Sequence, residues 1–526
     1  MVLRSHKQIS LQQSKSIQRG VKSTWHQSSD LDKIGHYNPK HQTDKGSIVN
    51  TYNPLLTDFY QFTMAYGYFK LNMHEKRANF HLIFRKTPFK GNYAIACGLE
   101  SIAQYLSAWH FSPKELDYLA KLKTPKGNVL FSLDFLDYLS KVRFSCDVEA
   151  IPEGNLVFAN TPLLRIEGPL LQCQLLESPL LNILNFQTLI ATKTSRICRA
   201  ASGDPVIEFG MRRAQGPDGA LSASRASYVG GCVATSNTLA GLLYGIPVKG
   251  THAHSWVTAF PSEQEAFSAY AKVLPENGVY LVDTFDTLQG VKEAIAIGHR
   301  LRKNGNDLLG IRLDSGDLAQ LSIAARELLD HAGFENTNIL ASNSLDEYVI
   351  TDLKNQGAKI SSWGVGTNLS TAFDQPALDG VYKLSALQND QGEWDYKLKL
   401  SDSPSKISNP GRHQVRRFFV GERWVGDVLF DLSLGVKDNV HAISLSSTPE
   451  ELSYADVDGF TDLLEPIFKA GKQIRANESI HLLRNRRADE LNTFWKQYND
   501  TAIYPIGLEK NLYQLKQKLI RMYKPT

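Results

Sequence analysis

Apolar segments alternate with helical segments through the middle of the chain, and this alternation constrains the fold more than any other feature. Helical patterns at 262–273, 290–303 and 318–331 separate several of the apolar segments. Repeated strand-then-helix units predict parallel strands joined by crossover helices. Six or more such units favour a closed or nearly closed barrel. The predicted strands lie at 206–209, 246–249, 279–282, 308–313, 338–341 and 362–365.

The barrel divides the chain into four predicted parts. Residues 1–45 form an extension, 46–200 an α+β domain, 201–385 the barrel, and 386–526 a C-terminal segment with strands and helices. The first helix is expected to begin at Thr57 or Asp58, whose side chains can accept hydrogen bonds from free backbone N–H groups. The C-terminal segment is predicted to have strands at 396–400 and 415–420 and a helical tail from Ala488, broken at Pro505. From these patterns it either packs on the α+β domain or forms its own unit.

Composition excludes several classes of protein. A formal net charge of +4 over 526 residues does not favour nucleic-acid binding. No apolar run reaches the roughly 18 residues that span a bilayer. The five scattered cysteines contain no Cys-x-x-Cys pair, which suits free thiols in a reducing compartment. We therefore expect a cytoplasmic protein that binds neither nucleic acid nor membrane.

The first residues differ in composition from the rest of the chain. Residues 1–29 contain no Asp or Glu, and they combine basic residues with many Ser and Gln. Such a leader is typical of an organelle transit peptide or of a disordered extension, and the second interpretation is preferred. Organelle targeting stays open. A secretory signal is not indicated, because the leader has no apolar central region.

Polar side chains follow six of the apolar segments, and in a barrel all of these strand ends meet at one mouth. Arg212, Arg213 and Arg312 offer planar donors to a carboxylate or phosphate. The Gly-Val-Gly-Thr run at 364–367 can expose backbone N–H groups to a phosphate. The residues at the strand ends are Phe209, Arg212, Arg213, Thr251, His254, Asp283, Asp286, Arg312, Asp314, Ser315, Gly316, Asp317, Ser342, Asn343, Ser344, Gly364, Gly366, Thr367 and Asn368.

The same set suggests a metal and a flat ring. Asp283, Asp314 and Asp317 supply the hard oxygen ligands that Mg²⁺ takes in company with phosphates. Phe209 and Tyr60 offer ring faces for stacking. Each feature has a structural alternative: an Asp at a strand end is often a helix cap, and a Gly-x-Gly-Thr is usually a turn. The hypothesis rests on six successive strand ends that all carry such residues.

His252 and His254 form a His-x-His pattern after the predicted strand at 246–249. Two such side chains face the same way on an extended strand, which is a metal-ligand arrangement. A barrel hydrolase that uses His252 and His254 is therefore a remote alternative. The later strand ends carry no further histidine, although a catalytic zinc wants about three protein ligands. A purely structural histidine is the other alternative.

Several motifs, in one order, resemble the nicotinate phosphoribosyltransferase family, within the type II phosphoribosyltransferases. The resemblance extends from about residue 53 to 384. It is carried by Thr-Asp-Phe-Tyr-Gln at 57–61, Glu-Phe-Gly-Met-Arg-Arg-Ala-Gln-Gly-Pro-Asp-Gly at 208–219, Ser-Ala-Ser-Arg at 222–225, Gly-Thr-His-Ala-His-Ser at 250–255, Arg-Leu-Asp-Ser-Gly-Asp at 312–317 and Gly-Val-Gly-Thr at 364–367.

The resemblance implies a fold and a reaction. The fold is an irregular α/β barrel with an α+β sandwich domain built from N-terminal and C-terminal segments. The reaction joins nicotinate to 5-phosphoribosyl 1-diphosphate, gives nicotinate mononucleotide and diphosphate, and is coupled to ATP hydrolysis. It is the first step of NAD synthesis from nicotinate. Mg²⁺ is the implied cofactor, with Asp283 as a candidate ligand.

The resemblance also implies roles for individual residues. His254 matches a transiently phosphorylated histidine, and Asp314 is a second candidate catalytic residue. Tyr60 and Phe209 match a pair that sandwiches the pyridine ring, with the tyrosine supplied by the other subunit of a head-to-tail homodimer. Residues near nicotinate are Tyr60, Phe209, Arg212, Thr251 and Arg312. Residues implied to hold 5-phosphoribosyl 1-diphosphate are Ser315, Gly316, Asn343, Gly364, Gly366 and Thr367.

Three other functions remain to be distinguished at this point. A nicotinamide-using relative carries an acidic residue after a short glycine turn, and the matching stretch at 230–234 has none, which favours the acid substrate. A quinolinate-using relative needs more basic residues and no ATP. A non-enzymatic binding protein would not be expected to retain the site residues.

Overall fold

The computed structural model describes residues 52–403, 406–436, 440–446, 449–499 and 501–524. The predicted extension at 1–45 lies outside these residues. The helices are α1 Phe59–Lys70, α2 Leu99–Ala108, α3 Pro113–Ala120, α4 Leu133–Lys141, α5 Leu170–Leu175, α6 Glu177–Ala200, α7 Gly216–Gly230, α8 Thr238–Tyr244, α9 His254–Thr258, α10 Glu263–Val273, α11 Thr287–Lys303, α12 Leu318–His331, α13 Glu347–Asn355, α14 Thr367–Ser370, α15 Ile480–Trp495 and α16 Lys510–Tyr523.

The strands belong to three large sheets and one two-stranded ladder. None of the described helices has the length and apolar character needed to cross a membrane. The strands are β1 Arg77–Phe84, β2 Ala94–Ile95, β3 Asp147–Ala150, β4 Leu156–Val157, β5 Pro162–Pro169, β6 Val206–Glu208, β7 Ala234–Thr235, β8 Val279–Leu281, β9 Gly310–Leu313, β10 Asn338–Ser342, β11 Ser362–Val365, β12 Gly380–Gln388, β13 Trp394–Tyr396, β14 His413–Val420, β15 Arg423–Asp431, β16 Val440–Ser444, β17 Glu451–Tyr454, β18 Gly459–Asp462, β19 Glu465–Lys469, β20 Lys472–Gln473 and β21 Ile506–Glu509.

A six-stranded parallel sheet in the order β7-β6-β11-β10-β9-β8 forms the barrel wall. Five of the six predicted barrel strands are confirmed as β6, β8, β9, β10 and β11, and α12 has the predicted bounds. Most of their apolar side chains are buried, which explains why the strands read as continuous apolar runs. The short β7 was not predicted.

The predicted strand at 246–249 is wrong as a full strand, because this segment only bridges the edge of the sheet at Val248, opposite Thr235. Beyond it, the Leu281 N–H of β8 donates a hydrogen bond to Nε2 of His252 at 3.3 Å. His252 therefore links the two edges of the sheet with its side chain. This link makes the barrel irregular, because the imidazole ring of His252 takes the place of a hydrogen-bonded pair of strands between the two sheet edges.

A seven-stranded antiparallel sheet combines strands from both ends of the chain, in the order β13-β12-β1-β5-β3-β19-β20. The predicted fold, an irregular barrel with a sandwich domain built from N-terminal and C-terminal segments, is confirmed. The domain limits stay a prediction, and the boundary at 385 falls within β12, which pairs with β1. Asp58 is the N-cap residue of α1, but its side chain accepts from Ser178 and not from the helix backbone.

A second six-stranded sheet, in the order β17-β16-β21-β15-β14-β18, lies in the C-terminal segment. The predicted strand at 415–420 is confirmed as part of β14. The one at 396–400 is wrong beyond Tyr396, where β13 ends. The predicted tail helix begins earlier, after the N-cap Ser479. Pro505 directly precedes β21, a strand inside this sheet, so the break in the tail is a strand and not a simple turn.

Arg225 of α7 joins the barrel to the N-terminal domain. Its side chain is 1% exposed and lies 2.7 Å from a carboxylate oxygen of Glu100 in α2 and 2.8 Å from one of Glu153. The backbone N–H of Gly98 also donates to Glu153. A buried guanidinium between two carboxylates is tolerated only because every charge has a partner. The ion pairs therefore hold α7 in one position against α2.

We expect Arg225→Met to lower the free energy of unfolding by about 3–5 kcal/mol, since it leaves Glu153 buried without its counter-charge. Denaturant titration of the purified variant measures this loss. Lys141→Met is the control, because Lys141 forms an exposed pair with Asp137 and should leave stability almost unchanged. An equal, small effect of both substitutions would contradict a structural role for the Arg225 ion pairs.

Candidate active site

Polar residues that follow β6, β8, β9, β10 and β11 gather at the carboxyl edge of the parallel sheet. Asp283 is the centre of this group, and its side chain is 1% exposed. One carboxylate oxygen faces Nε2 of His254 at 3.2 Å. The other accepts hydrogen bonds from the Asp314 backbone N–H at 2.9 Å and from the Ser315 hydroxyl at 2.5 Å. Asp283, which follows β8, therefore connects the segment that contains His254 to the end of the neighbouring strand β9.

Asp314 extends the network to the next strand, because its carboxylate accepts a hydrogen bond from the hydroxyl of Ser342 at the end of β10. Asn343 and Ser344 follow with positive φ angles of 98° and 48°. Such angles are uncommon for residues with a side chain and often mark functional turns. The amide of Asn368 stabilises this turn by donating to the Ser344 carbonyl at 3.1 Å.

Arg312 brings positive charge to the same mouth. Burial lowers the pKa of its guanidinium, Asp314 and Asp283 raise it, and Arg212 lowers it again. Its Nε is buried and has no hydrogen-bond partner among the described residues. A buried donor without an acceptor costs stability, and an anionic ligand would supply that acceptor. His254 and Arg312 lie on the same side of the barrel, since both face Asp283.

Phe209 follows β6, and its position depends on a glycine in β11. The Phe209 N–H donates to the Val365 carbonyl at 2.8 Å. A Cβ added to Gly364 would lie 2.5 Å from the Phe209 ring, and one added to Gly366 would lie 3.3 Å from its carbonyl oxygen. The glycines at 364 and 366 therefore make room for Phe209, in addition to any contact with a phosphate.

Glu208 is a functional residue that the sequence reasoning did not single out. It is 1% exposed and accepts hydrogen bonds from the Gly210 N–H, from Ser224 at 3.0 Å and from Thr235 at 2.5 Å. Burial raises the pKa of its carboxyl. The signal that the sequence offered for Glu208 was an acidic residue at the end of an apolar strand. Its role is to hold the segment that leads to Arg212.

Several candidate residues are not joined to this network. The Thr251 hydroxyl donates only to the neighbouring His252 carbonyl, at 3.2 Å, in the described structure. Tyr60 is 49% exposed on α1, and no described ring contact joins it to Phe209. One carboxylate oxygen of Asp317 caps α12 by accepting the Ala319 and Gln320 N–H groups, and a role of Asp317 as a metal ligand stays a prediction. Arg212 and Arg213 lie in a short 3-10 helix, Gly316 precedes α12, and Thr367 begins α14. No described side-chain hydrogen bond joins these four residues to the network.

The geometry of His252 argues against the metal-hydrolase alternative. Its Nε2 already accepts the Leu281 N–H, and burial lowers its pKa to about 4. The His252 ring is neutral at physiological pH and faces the edge strand β8, whereas the His254 ring faces Asp283. Across the described ranges, no cluster of three or more His, Cys, Asp or Glu is arranged to hold a metal.

Three family models match consecutive parts of the chain. The N-terminal domain of nicotinate phosphoribosyltransferase matches residues 55–185, the family's main model matches 205–421, and its C-terminal domain matches 424–516. The chain belongs to the nicotinate phosphoribosyltransferase family. The match includes the C-terminal segment, which the sequence motifs did not reach.

Relatives named nicotinate phosphoribosyltransferase span most of the chain. The Bacillus subtilis enzyme is 40% identical over 477 residues, which is 89% of this chain and 96% of that protein. The human enzyme is 35% identical over 72% of this chain and 79% of its own length. The crystal structure of human nicotinic acid phosphoribosyltransferase superposes with a TM-score of 0.76 at 29% identity, covering 88% of this chain and 99% of that chain.

A nicotinate-nucleotide pyrophosphorylase from Pyrococcus furiosus shares the fold, with a TM-score of 0.65 at 21% identity over 86% of this chain and 99% of that one. The carboxyl edge of the barrel is the candidate active site of this chain, because the network around Asp283 gathers the polar strand ends there.

The link through His252 should make stability depend on pH. Its pKa falls from 6.5 to about 4 on folding, so the neutral ring is favoured and stability is lost as pH falls from 6.5 through about 4. We expect His252→Gln, which keeps an acceptor for Leu281, to remove about 3 kcal/mol of this loss. Denaturant titrations of both proteins at pH 8 and pH 4 measure the difference. The same pH dependence in both would contradict the assignment.

Proposed function

We propose that this chain transfers the phosphoribosyl group of 5-phosphoribosyl 1-diphosphate to nicotinate, giving nicotinate mononucleotide and diphosphate, with ATP hydrolysis coupled to the transfer. The product would enter NAD synthesis. The observation that carries the proposal is the Asp283 network, which ties His254 to the strand ends that bear Arg312 and Asp314. Family membership supports both organic substrates.

In this proposal the pyridine ring stacks on Phe209, and Arg312 with Arg212 binds its carboxylate. The unpartnered Nε of Arg312 and the repulsion between the two guanidinium groups favour an anion between them. Thr251 would border the ring. A carboxylate beside these arginines would repel nicotinate. The stretch at 230–234 contains no acid, but it leads into β7 at the amino end of the sheet, so it does not distinguish the two substrates. The two arginines favour nicotinate over nicotinamide.

The phosphoribosyl group is proposed to lie along the ends of β9, β10 and β11, on the backbone N–H groups and hydroxyls of Ser315, Gly316, Asn343, Gly364, Gly366 and Thr367. As the bond from the ribose C1 to diphosphate breaks, positive charge develops on the sugar and negative charge on the leaving group. The pyridine nitrogen then attacks C1 with its own lone pair. In this proposal Asp314 faces the sugar.

Mg²⁺ is proposed to neutralise the diphosphate, mostly through phosphate oxygens, with Asp314 as the carboxylate that fits it. The second oxygen of Asp314 has no hydrogen bond from the described residues, whereas both oxygens of Asp283 do. A Mg²⁺ contact by Asp283 stays a prediction, and it would have to replace these donors.

His254 is proposed to take the γ-phosphoryl group of ATP. Its side chain is 44% exposed, and Asp283 holds Nε2, which leaves Nδ1 free to attack phosphorus while ADP leaves. The phosphorylated ring would alter the affinity of the mouth for substrates and products. Energy from ATP then shifts the equilibrium toward the nucleotide.

We expect His254→Ala to abolish ATP stimulation and to leave a weak ATP-independent transfer. Product formation with and without ATP, together with acid-labile label from γ-labelled ATP, measures both effects. His331→Ala is the control, because His331 lies at the carboxyl end of α12, away from the mouth. Equal stimulation by ATP in His254→Ala would contradict the phosphohistidine.

A head-to-tail homodimer is proposed, in which Tyr60 of one subunit completes the ring site at Phe209 of the other. The exposed face of α1 supports this assembly: Phe59, Tyr60 and Met64 are 53%, 49% and 36% exposed. Large apolar side chains that cluster on a surface are typical of a protein interface. The free thiols support a reducing, cytoplasmic setting, and a role of the N-terminal leader in targeting stays open.

Mixed dimers test the shared site. Tyr60→Ala and Asp314→Asn should each have low activity, and co-expression should restore about a quarter of wild-type activity, because half of the dimers carry one intact site. Activity per purified dimer measures the recovery, and each variant alone is the control. If Tyr60 serves its own chain, every site in the mixture carries one substitution and no activity returns.

A further inference from the structure

Two cysteines meet where α6, α7 and α15 pack together, away from the barrel mouth. Cys198 lies near the carboxyl end of α6 and is half-buried, and Cys232 lies just after α7 and is buried. Both are free thiols. Neither contributes to the proposed transfer reaction.

The backbone between the two helices brings the thiols close together. A Cβ added to Gly230 would lie 2.5 Å from the Ala191 carbonyl oxygen, so α6 and α7 cross in direct backbone contact. A Cβ added to Gly231 would lie 3.1 Å from the Cys198 sulfur and 2.5 Å from Nη2 of Arg487. Cys198 therefore packs against the residue that directly precedes Cys232, beside a guanidinium group.

Two arginines of α15 make this site electropositive. Arg484 donates to the Cys232 and Gly231 carbonyls, each at 3.2 Å, and Arg487 donates to the Val229 carbonyl at 3.3 Å. In the part of the chain that the structure describes, neither arginine pairs with a carboxylate. A hydrogen bond from Cys232 lowers the pKa of the Cys198 thiol, burial opposes this, and Arg487 and Arg484 lower it further.

The chain contains a second cysteine pair with the opposite properties. The sulfur atoms of Cys146 and Cys173 are 3.8 Å apart, and both residues are completely buried. Burial raises the pKa of Cys173 well above its usual value, and its hydrogen bond with Cys146 and the charge of Cys146 raise it further. The Cys146–Cys173 pair is thus completely buried, whereas Cys198 is partly exposed and lies beside Arg487, against the residue that precedes Cys232. Reactive cysteines occur in such electropositive, accessible surroundings.

We propose that Cys198 and Cys232 form a peroxide-sensitive dithiol, in which Cys198 attacks the oxidant and Cys232 closes a disulfide. The Cys198 thiolate attacks one oxygen of hydrogen peroxide, the O–O bond breaks, and hydroxide leaves and takes up a proton as water. The Cys232 sulfur then attacks the sulfenic acid of Cys198. Its thiol proton passes to the departing hydroxyl, a second water leaves, and the S–S bond forms.

The balance is two thiols oxidised by two electrons and one peroxide reduced to two waters. The disulfide would join the end of α6 to the segment that enters β7. Cys232 lies three residues before Thr235, which donates to Glu208, and Glu208 accepts the Gly210 N–H in the segment that leads to Arg212. The modification site is independent of the proposed transfer activity.

Peptide mapping of the full chain after treatment with one equivalent of hydrogen peroxide tests the proposal. Trypsin cuts at Arg199 and Arg225, which separates the two cysteines, so a disulfide appears as linked peptides that have lost two hydrogens. We expect this link, with Cys146 and Cys173 still reduced as the internal control. Oxidation of Cys146 and Cys173 first, or no link at Cys198, would overturn the proposal.

Two variants separate the roles of the thiols. Cys232→Ser keeps a hydrogen-bond donor but cannot form the disulfide, so dimedone should trap a sulfenic acid on Cys198. Cys232→Ala removes the donor, and alkylation of Cys198 by iodoacetamide at pH 7 should slow, because a smaller fraction of the Cys198 thiol is then ionised. Cys173→Ser is the matched control and should change neither result. The proposal would be overturned if dimedone did not trap Cys198 in folded Cys232→Ser while Cys232 was oxidised in Cys198→Ser. Cys232, and not Cys198, would then be the thiol that attacks the oxidant.

Discussion

The buried carboxylate of Asp283 is the interaction on which the candidate active site depends. It accepts donors from His254, from the Asp314 backbone and from Ser315, so two separately encoded segments share one acceptor on a third. A carboxylate that is 1% exposed is stable only when such donors surround it. The same requirement therefore positions the proposed phosphate acceptor and the strand end that would hold the sugar.

The barrel needs the rest of the chain to keep this geometry. Arg225 fixes α7 against the N-terminal domain through Glu100 and Glu153, and α7 carries Ser224, which donates to Glu208. His252 joins the two edges of the parallel sheet through its neutral ring. Buried polar contacts thus connect the domain packing to the loops at the barrel mouth.

Much of the fold could be predicted because its signals are local. The apolar runs of β8 to β11 and the pattern of α12 depend on nearest neighbours, and their bounds agree with the structure within two residues. The prediction of a strand at 246–249 was wrong, because apolar residues suit a short bridge at the edge of the sheet as well as a full strand. Asp317 and Asp283 both follow strands. Asp317 caps a helix, whereas Asp283 connects its own segment to two others, and residue type alone does not distinguish these roles.

The sequence by itself determined the alternation of strands and helices, the kinds of residue at the strand ends and the family, because these follow from side-chain periodicity and from motifs within short segments. Only the tertiary structure decided the partners of Asp283, Arg225 and His252. His254 and Asp283 are 29 residues apart, and Arg225 and Glu153 are 72 apart. Contacts at such separations depend on how whole elements pack, which no local pattern records.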